Sequence, residues 1–453
     1  MKNLLLLFVC MLQSCLGFSQ DIKGTWSGNL DFGVQKLKFV LHIDHKDGQW
    51  SALADSPDQG ARDIPFDITI KNDSIFLSQA SGIQVRLMYN QDDILAGDFT
   101  QNWKTIPLKL SRIDKGELQA SSRKMQTPEP PYPYDTLEVS IPQKFQTLSL
   151  SGTLSKPRGN GSYPAVILVS GSGPQDRDSD LFGHKLFKVL ADYLTRQGII
   201  VLRYDDRGVG KSEGDYARAT IEDFGKDAIS AFEFLKTVKN VDLNKLGIIG
   251  HSEGGLIANL LAGQGVPNLS FIVSLAGPSI PIDELMVEQL YHVGKSQGMS
   301  EFQLAMAKEI NKKNFAVVKS NLPREQAYNQ LKKNLNILHD SDRNKSIREE
   351  LVMMLTPAYR YFLRIEPAEF IKKIYIPVFG AFGTLDVQVP STINLRGYYD
   401  NLPKNSKTVL KEYLDLNHLF QKAKTGKLDE YASLHETMNP QLMQDIASWI
   451  KGL

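Results

Sequence analysis

Apolar side chains recur at every second position in the first quarter of the chain. Lys36-Leu37-Lys38-Phe39-Val40-Leu41-His42-Ile43 is the longest example, and residues 66–70, 74–77, 84–89 and 106–110 repeat the pattern. Turn clusters such as Asp47-Gly48 and Lys71-Asn72-Asp73 separate these runs. A period of two puts one face inward and the other in water, so residues 20–118 are expected to form an all-β sandwich or small barrel. Thr127-Pro128-Glu129-Pro130-Pro131-Tyr132-Pro133 follows, and residues 119–134 read as a stiff, extended linker. From about residue 135 a hairpin gives way to short apolar runs, such as Pro164-Ala165-Val166-Ile167-Leu168-Val169, that alternate with helical periodicity. That order predicts a mostly parallel sheet covered by helices on both faces. The alternation stops between residues 279 and 372, where a charged, helical stretch carries Met286, Tyr291, Met306, Met353, Met354, Tyr359, Tyr361 and Phe362. This stretch is expected to be a helical cap, inserted in a sheet domain made of residues 135–278 and 373–453.

Charge and composition narrow the classes. The 453 residues carry 52 Lys and Arg against 51 Asp and Glu, which argues against a nucleic-acid surface. Lys2, the apolar run 4–12 and Gly17-Phe18-Ser19 have the order of a secretory signal, so residues 1–19 are expected to be a leader and the protein secreted or periplasmic. Both cysteines, Cys10 and Cys15, fall inside that segment, leaving a mature chain with no disulfide. Leu12-Gln13-Ser14-Cys15 also loosely matches a lipoprotein processing site; if it is used, Cys15 carries a lipid anchor. The apolar run is too short to span a membrane, and no later stretch is long enough.

The candidate chemistry lies in the second part of the chain. Gly250-His251-Ser252-Glu253-Gly254 is a G-x-S-x-G between an apolar strand, residues 245–249, and a helix-forming run, residues 256–262. Strand, sharp turn and helix lift a serine hydroxyl above a parallel sheet, and the flanking glycines let strand and helix approach closely. A serine hydroxyl needs a base, and the base an orienting carboxylate. Asp386 follows the strand of residues 374–383, and His418 follows the strand of residues 408–413, giving the order Ser, acid, His. Asp415 and Asp429 are rivals for the acid, and His435 for the base. The oxyanion hole is expected to use the N–H of Glu253 and a second N–H from Gly171-Ser172-Gly173-Pro174, with Ser172 preferred to Gly173. His251 is expected to pack sideways, and His184 to start a helix at the surface. Tyr359, Tyr361 and Phe362 are candidates for the substrate pocket.

Other strings fail on geometry. Gly208-Val209-Gly210-Lys211-Ser212 ends like a phosphate loop, but Asp205 stands where its first glycine belongs. Asp205, Asp206 and Arg207 are expected to form a structural ion-pair turn there instead. His42 and His45 lie three apart on a strand and face opposite ways, so no metal site is expected.

These residues together resemble the α/β-hydrolase superfamily, and within it the secreted bacterial hydrolases grouped with serine-aminopeptidase-like proteins and esterases. The resemblance rests on Gly171-Ser172-Gly173-Pro174-Gln175-Asp176-Arg177-Asp178, Asp206-Arg207-Gly208-Val209-Gly210-Lys211-Ser212, the Ser252 motif, Asp386-Val387-Gln388-Val389-Pro390 and Asn417-His418-Leu419-Phe420. Asp55-Ser56-Pro57-Asp58-Gln59-Gly60 extends it into the β domain. It implies an α/β-hydrolase fold with Ser252 as nucleophile, Asp386 as orienting acid and His418 as base. Ser170 departs from it, since many members of the superfamily have His before the oxyanion glycine. The expected activity is cleavage of a small-molecule or glycan-linked carboxylic ester through an acyl-enzyme, with no cofactor. Two alternatives stay open: a peptidase or amidase on the same three residues, and a non-catalytic binding protein that works through its β domain.

Overall fold

Alternation with a period of two closes the N-terminal strands into a barrel. The computed structural model describes residues 22–31, 36–56, 61–71, 74–79, 82–90, 92–101, 104–113, 124–337 and 345–453. The expected leader, with Cys10 and Cys15, lies outside them, as do Asn72-Asp73 and residues 57–60. Two units are present, one ending at Arg123 and one spanning Lys124–Leu453.

The first unit runs β1 (Gly24–Asp31), β2 (Lys36–Lys46), β3 (Gln49–Ser56), β4 (Ala61–Lys71), β5 (Ser74–Ser78), β6 (Gln84–Asn90), β7 (Ile94–Gln101) and β8 (Lys104–Ile113). Each strand pairs with the next, and β1 pairs with β8, so the sheet has no free edge. Between β2 and β3, Asp47 and Gly48 both adopt positive φ, 52° and 80°, as a two-residue hairpin turn requires. Ile106, Leu108 and Leu110 of β8 point inward while their neighbours face water. Trp26 is fully buried; its Nε1–H donates to the Ile22 carbonyl at 3.0 Å, and the Arg112 guanidinium lies 4.3 Å from its ring. His42 bonds Thr25 and Asp55, whereas His45 stacks on Trp50.

The second unit is built on an eight-stranded sheet. Its strands are β9 (Asp135–Pro142), β10 (Ser149–Lys156), β11 (Tyr163–Val169), β14 (Ile200–Tyr204), β15 (Val241–His251), β16 (Phe271–Leu275), β17 (Val378–Gly383) and β18 (Val409–Tyr413); β12 (Asp180–Leu181) and β13 (His184–Lys185) form a separate pair. The order is β18-β17-β16-β15-β11-β14-β10-β9, parallel from β18 to β14 and antiparallel at β10 and β9. Every residue of β14, β16 and β17 is buried, as expected of strands covered on both faces. Helix α1 (Leu186–Arg196) packs on β14 and β10, while α2 (Ile221–Lys236) and α3 (Glu253–Gly263) pack on β11 and β15. Between β16 and β17 come α4 (Ile282–Ser296), α5 (Glu301–Lys319), α6 (Arg324–Asn334), α7 (Lys345–Met354), α8 (Pro357–Phe362) and α9 (Ala368–Ile371). Helices α10 (Ser391–Asn401) and α11 (Pro440–Gly452) complete the unit, with Trp449 of α11 edge-on to Phe271. No helix among the described residues is long and apolar enough to cross a membrane.

Part of the stretch expected to be linker is laid onto this unit. The Gln126 side chain accepts the N–H of Met438 at 3.0 Å and donates to its carbonyl at 2.8 Å, and the Tyr134 hydroxyl donates to Asp192 at 2.7 Å.

Trp26→Ala removes the largest side chain at the barrel centre. It is expected to destabilise that unit by about 3–5 kcal/mol, read as a lowered denaturant midpoint.

Candidate active site

Strand β15 runs straight into Ser252, and the chain turns there with no room to spare. Ser252 has φ 56° and ψ −119°, a conformation few non-glycine residues adopt. Its N–H donates to the Leu275 carbonyl of β16 at 2.8 Å, and its own carbonyl takes the Gly255 N–H at 2.9 Å. A Cβ on Gly250 would lie 2.0 Å from the Gly254 carbonyl oxygen, and one on Gly254 would lie 2.1 Å from that of Val169. The glycines are therefore steric requirements, and they hold the Ser252 side chain up at the carboxyl end of the sheet.

Asp386 and His418 meet at the same end. His418 Nδ1 lies 2.7 Å from Asp386 Oδ2, with both residues buried. The other carboxylate oxygen accepts the N–H groups of Gln388 and Val389, each at 2.8 Å. With Nδ1 committed to a carboxylate, the Nε2 of His418 is left as the basic nitrogen. The residue before Ser252 ties the two segments together: His251 Nε2 lies 2.9 Å from the His418 carbonyl oxygen, and the two rings are 4.8 Å apart. Burial and the neighbouring His418 push the His251 imidazole down to about 3, so it stays neutral and donates. Ser252 Oγ makes no hydrogen bond, to His418 Nε2 or to any other group, among the described residues; a contact between a nucleophile and its base is often long before substrate binds.

The loop after β11 supplies the third part. Gly171 abuts the serine, where an added Cβ would lie 3.1 Å from Ser252 Cβ. The N–H groups of Ser172 and Glu253 donate to no backbone carbonyl among the described residues. Beside them is a small cavity lined by Ser170, Gly171, Tyr204, Asp206, Tyr216 and Glu253. The Glu253 carboxyl has no hydrogen-bond partner among the described residues, and burial pushes it up to about 7.

Two expectations are corrected. Asp205, Asp206 and Arg207 do not pair with one another. Asp205 holds Arg177 (Nη2 at 2.7 Å), Arg207 grips Asp227 (Nε at 2.6 Å), and Asp206 turns to Ser170 and Gln175. Alternating side chains of one turn point apart, so each found a partner on a different element. His184 is fully buried, not at the surface: its ring nitrogens lie 2.9 Å from Thr437 Oγ1 and 3.0 Å from the Tyr431 carbonyl oxygen. Of the three cap residues, Tyr361 donates to Glu222 at 2.7 Å, while Tyr359 and Phe362 pack with rings 6.3 Å apart. None of them lines the cavity beside Ser252. Two residues near the site went unread in the sequence, Tyr216 and the half-buried His292 of α4. Burial pushes the His292 imidazole down, and Glu288, with a lesser help from Asp386, opposes it.

Residues 184–362 match the family model described as serine aminopeptidase, S33. Esterase EstD of Thermotoga maritima is 26% identical over 325 residues, which cover 70% of this chain and 70% of EstD. The uncharacterized peptidase YuxL of Bacillus subtilis is 27% identical over 139 residues, 28% of this chain and 20% of YuxL. Among solved structures, the Pyrococcus furiosus esterase Pf2001 aligns with 17% identity and a TM-score of 0.43, over 70% of this chain and 91% of the esterase. Est1E of Butyrivibrio proteoclasticus, solved with ferulic acid bound, aligns with 18% identity and a TM-score of 0.40, over 69% of this chain and 96% of Est1E. The order of the mostly parallel eight-stranded sheet and the turn from strand through Ser252 to helix are those of the α/β-hydrolase fold, and residues 184–362 are similar to the serine aminopeptidase S33 family.

Proposed function

We propose that this protein is a serine hydrolase of carboxylic esters, with Ser252 as nucleophile, His418 as base and Asp386 as its orienting acid. The observation that carries the reading is the 2.7 Å contact between Asp386 and His418 Nδ1, beside a serine held in a strained turn. In the proposed reaction, His418 Nε2 takes the Ser252 proton as Oγ attacks the acyl carbonyl. The N–H groups of Glu253 and Ser172 receive the developing oxyanion. The alcohol leaves with the proton from His418, and water then attacks the acyl-enzyme with the same base. The match to EstD, an esterase by name, supports the ester class. The leader-like residues 1–19 carry the further proposal that it acts outside the cytoplasm.

One observation favours a second reading. A carboxyl without a hydrogen-bond partner beside the nucleophile, that of Glu253, could hold the free ammonium of an aminoacyl ester or amide. Only the charged carboxylate would do so. Under this reading, turnover of aminoacyl anilides climbs as pH passes about 7, and Glu253→Gln abolishes the climb while sparing simple acyl esters. Equal pH profiles for both substrate types in the wild type and Glu253→Gln would rule it out.

On p-nitrophenyl acetate, Ser252→Ala is expected to lower kcat by about 10⁵-fold or more with an unchanged circular dichroism spectrum. Asp386→Asn is expected to lose about 10⁴-fold, because His418 then lacks its orienting acceptor. A Ser252→Ala protein of normal rate refutes the assignment.

Glu253 also sets a pH dependence of stability. Its carboxyl is raised in the folded state, so its contribution is intact in acid and is lost as pH rises from the ordinary glutamate range through about 7. Glu253→Gln is expected to melt above the wild type at pH 8 and level with it at pH 4, measured by calorimetry.

A further inference from the structure

The second oxyanion donor sits on a loop with no regular structure, so something outside the loop must fix it. Asp206, at the end of β14, reaches across to both of its ends. The Ser170 hydroxyl donates to Asp206 Oδ1 at 2.5 Å, and the Gln175 N–H donates to Oδ2 at 3.0 Å. The Asp206 N–H returns a bond to the Gln175 carbonyl at 3.1 Å. These three bonds bracket residues 171–174, the stretch that carries Ser172. Inside the bracket, Gln175 Nε2 donates to the Ser172 carbonyl at 3.2 Å, and Gln175 Oε1 is itself fixed by the Ser179 hydroxyl at 2.6 Å. Gly171 is pressed against Ser252, so the loop has little room to shift towards the serine.

The neighbouring Asp205 shows the contrast. Its carboxylate is spent on Arg177, an ion pair that anchors the far side of the same loop. Asp206 has no such cation. Burial, helped by the nearby Glu253 and Asp227, raises its carboxyl to about 7 against the downward pull of its two hydrogen bonds. What holds this buried carboxyl in place is the loop it holds.

We propose that Asp206 is the positioning residue of the oxyanion hole: through Ser170 and Gln175 it presents the Ser172 N–H to the acyl oxygen. The proposal rests on the reading of Ser252 as nucleophile. Asp206 touches neither substrate nor Ser252, so its removal loosens a donor used in the transition state and leaves ground-state binding alone.

The test is the kinetics of p-nitrophenyl acetate hydrolysis, with active sites counted by complete fluorophosphonate titration. Asp206→Ala is expected to lower kcat per site by about 100-fold with KM held within about 3-fold. Asp206→Asn keeps an oxygen for the Gln175 N–H and an amide for the Ser170 hydroxyl, and is expected to stay within about 5-fold of wild type. Ser170→Ala, which cuts one tie, is expected to fall between them. Wild-type kcat in Asp206→Ala overturns the proposal, as does a loss confined to KM, or an Asp206→Asn protein as impaired as Asp206→Ala. If Asp206→Ala fails to fold, Ser170→Ala decides: a fall in kcat with KM held supports the proposal, and an unchanged kcat overturns it. A Ser252→Ala protein of normal rate defeats the nucleophile reading and this one together. An inactive Ser252→Ala beside a fully active Asp206→Ala defeats this one alone.

Discussion

The site depends on a steric constraint at one turn. Strand β15 passes into helix α3 within a single residue, and Ser252 takes the left-handed backbone conformation that this requires, with φ 56°. The turn closes only because positions 250 and 254 have no Cβ, since either would drive into a main-chain carbonyl at about 2 Å. A strained residue of this kind persists only where its surroundings over-determine it. Here the surroundings are β16 through the Leu275 carbonyl, β11 through the Val169 carbonyl, and the first turn of α3.

Carboxylates set after different strands of one sheet do different work according to what faces them. Asp386, after β17, accepts two backbone N–H groups and an imidazole. Asp205 and Asp206, adjacent after β14, part company: one holds a guanidinium, the other a hydroxyl and a peptide N–H. Asp227, on α2, is pushed up by burial and held back by Arg207. The identity of the partner, more than burial itself, separates an ion-pair anchor from a group able to shape a loop.

Much of the framework was legible because it is written locally. The period-two runs gave the barrel strands, and Asp47-Gly48 gave their hairpin turn, since positive φ at two successive residues is a local demand. Ser252, Asp386 and His418 stood out as candidates because each lies shortly after a strand, where open α/β sheets carry their sites. What escaped notice depends on partners far away in the chain. His184 looked like a surface residue from its neighbours, yet its partners lie 247 and 253 residues on. Asp206 looked like half of a local ion pair, but its hydroxyl partner is 36 residues back. Gln126 sits in a proline-rich stretch with the composition of a linker, and its bonds run to residues more than 300 positions later. A window a few residues wide cannot register such pairings.

The account stands on Ser252 being the activated hydroxyl of this protein. Peptide mass spectrometry after reaction with a fluorophosphonate reads that directly. The account predicts a single adduct, on the peptide containing Ser252, that fails to form when His418 is replaced by Ala. An adduct on another serine, or equal labelling of Ser252 without His418, contradicts it.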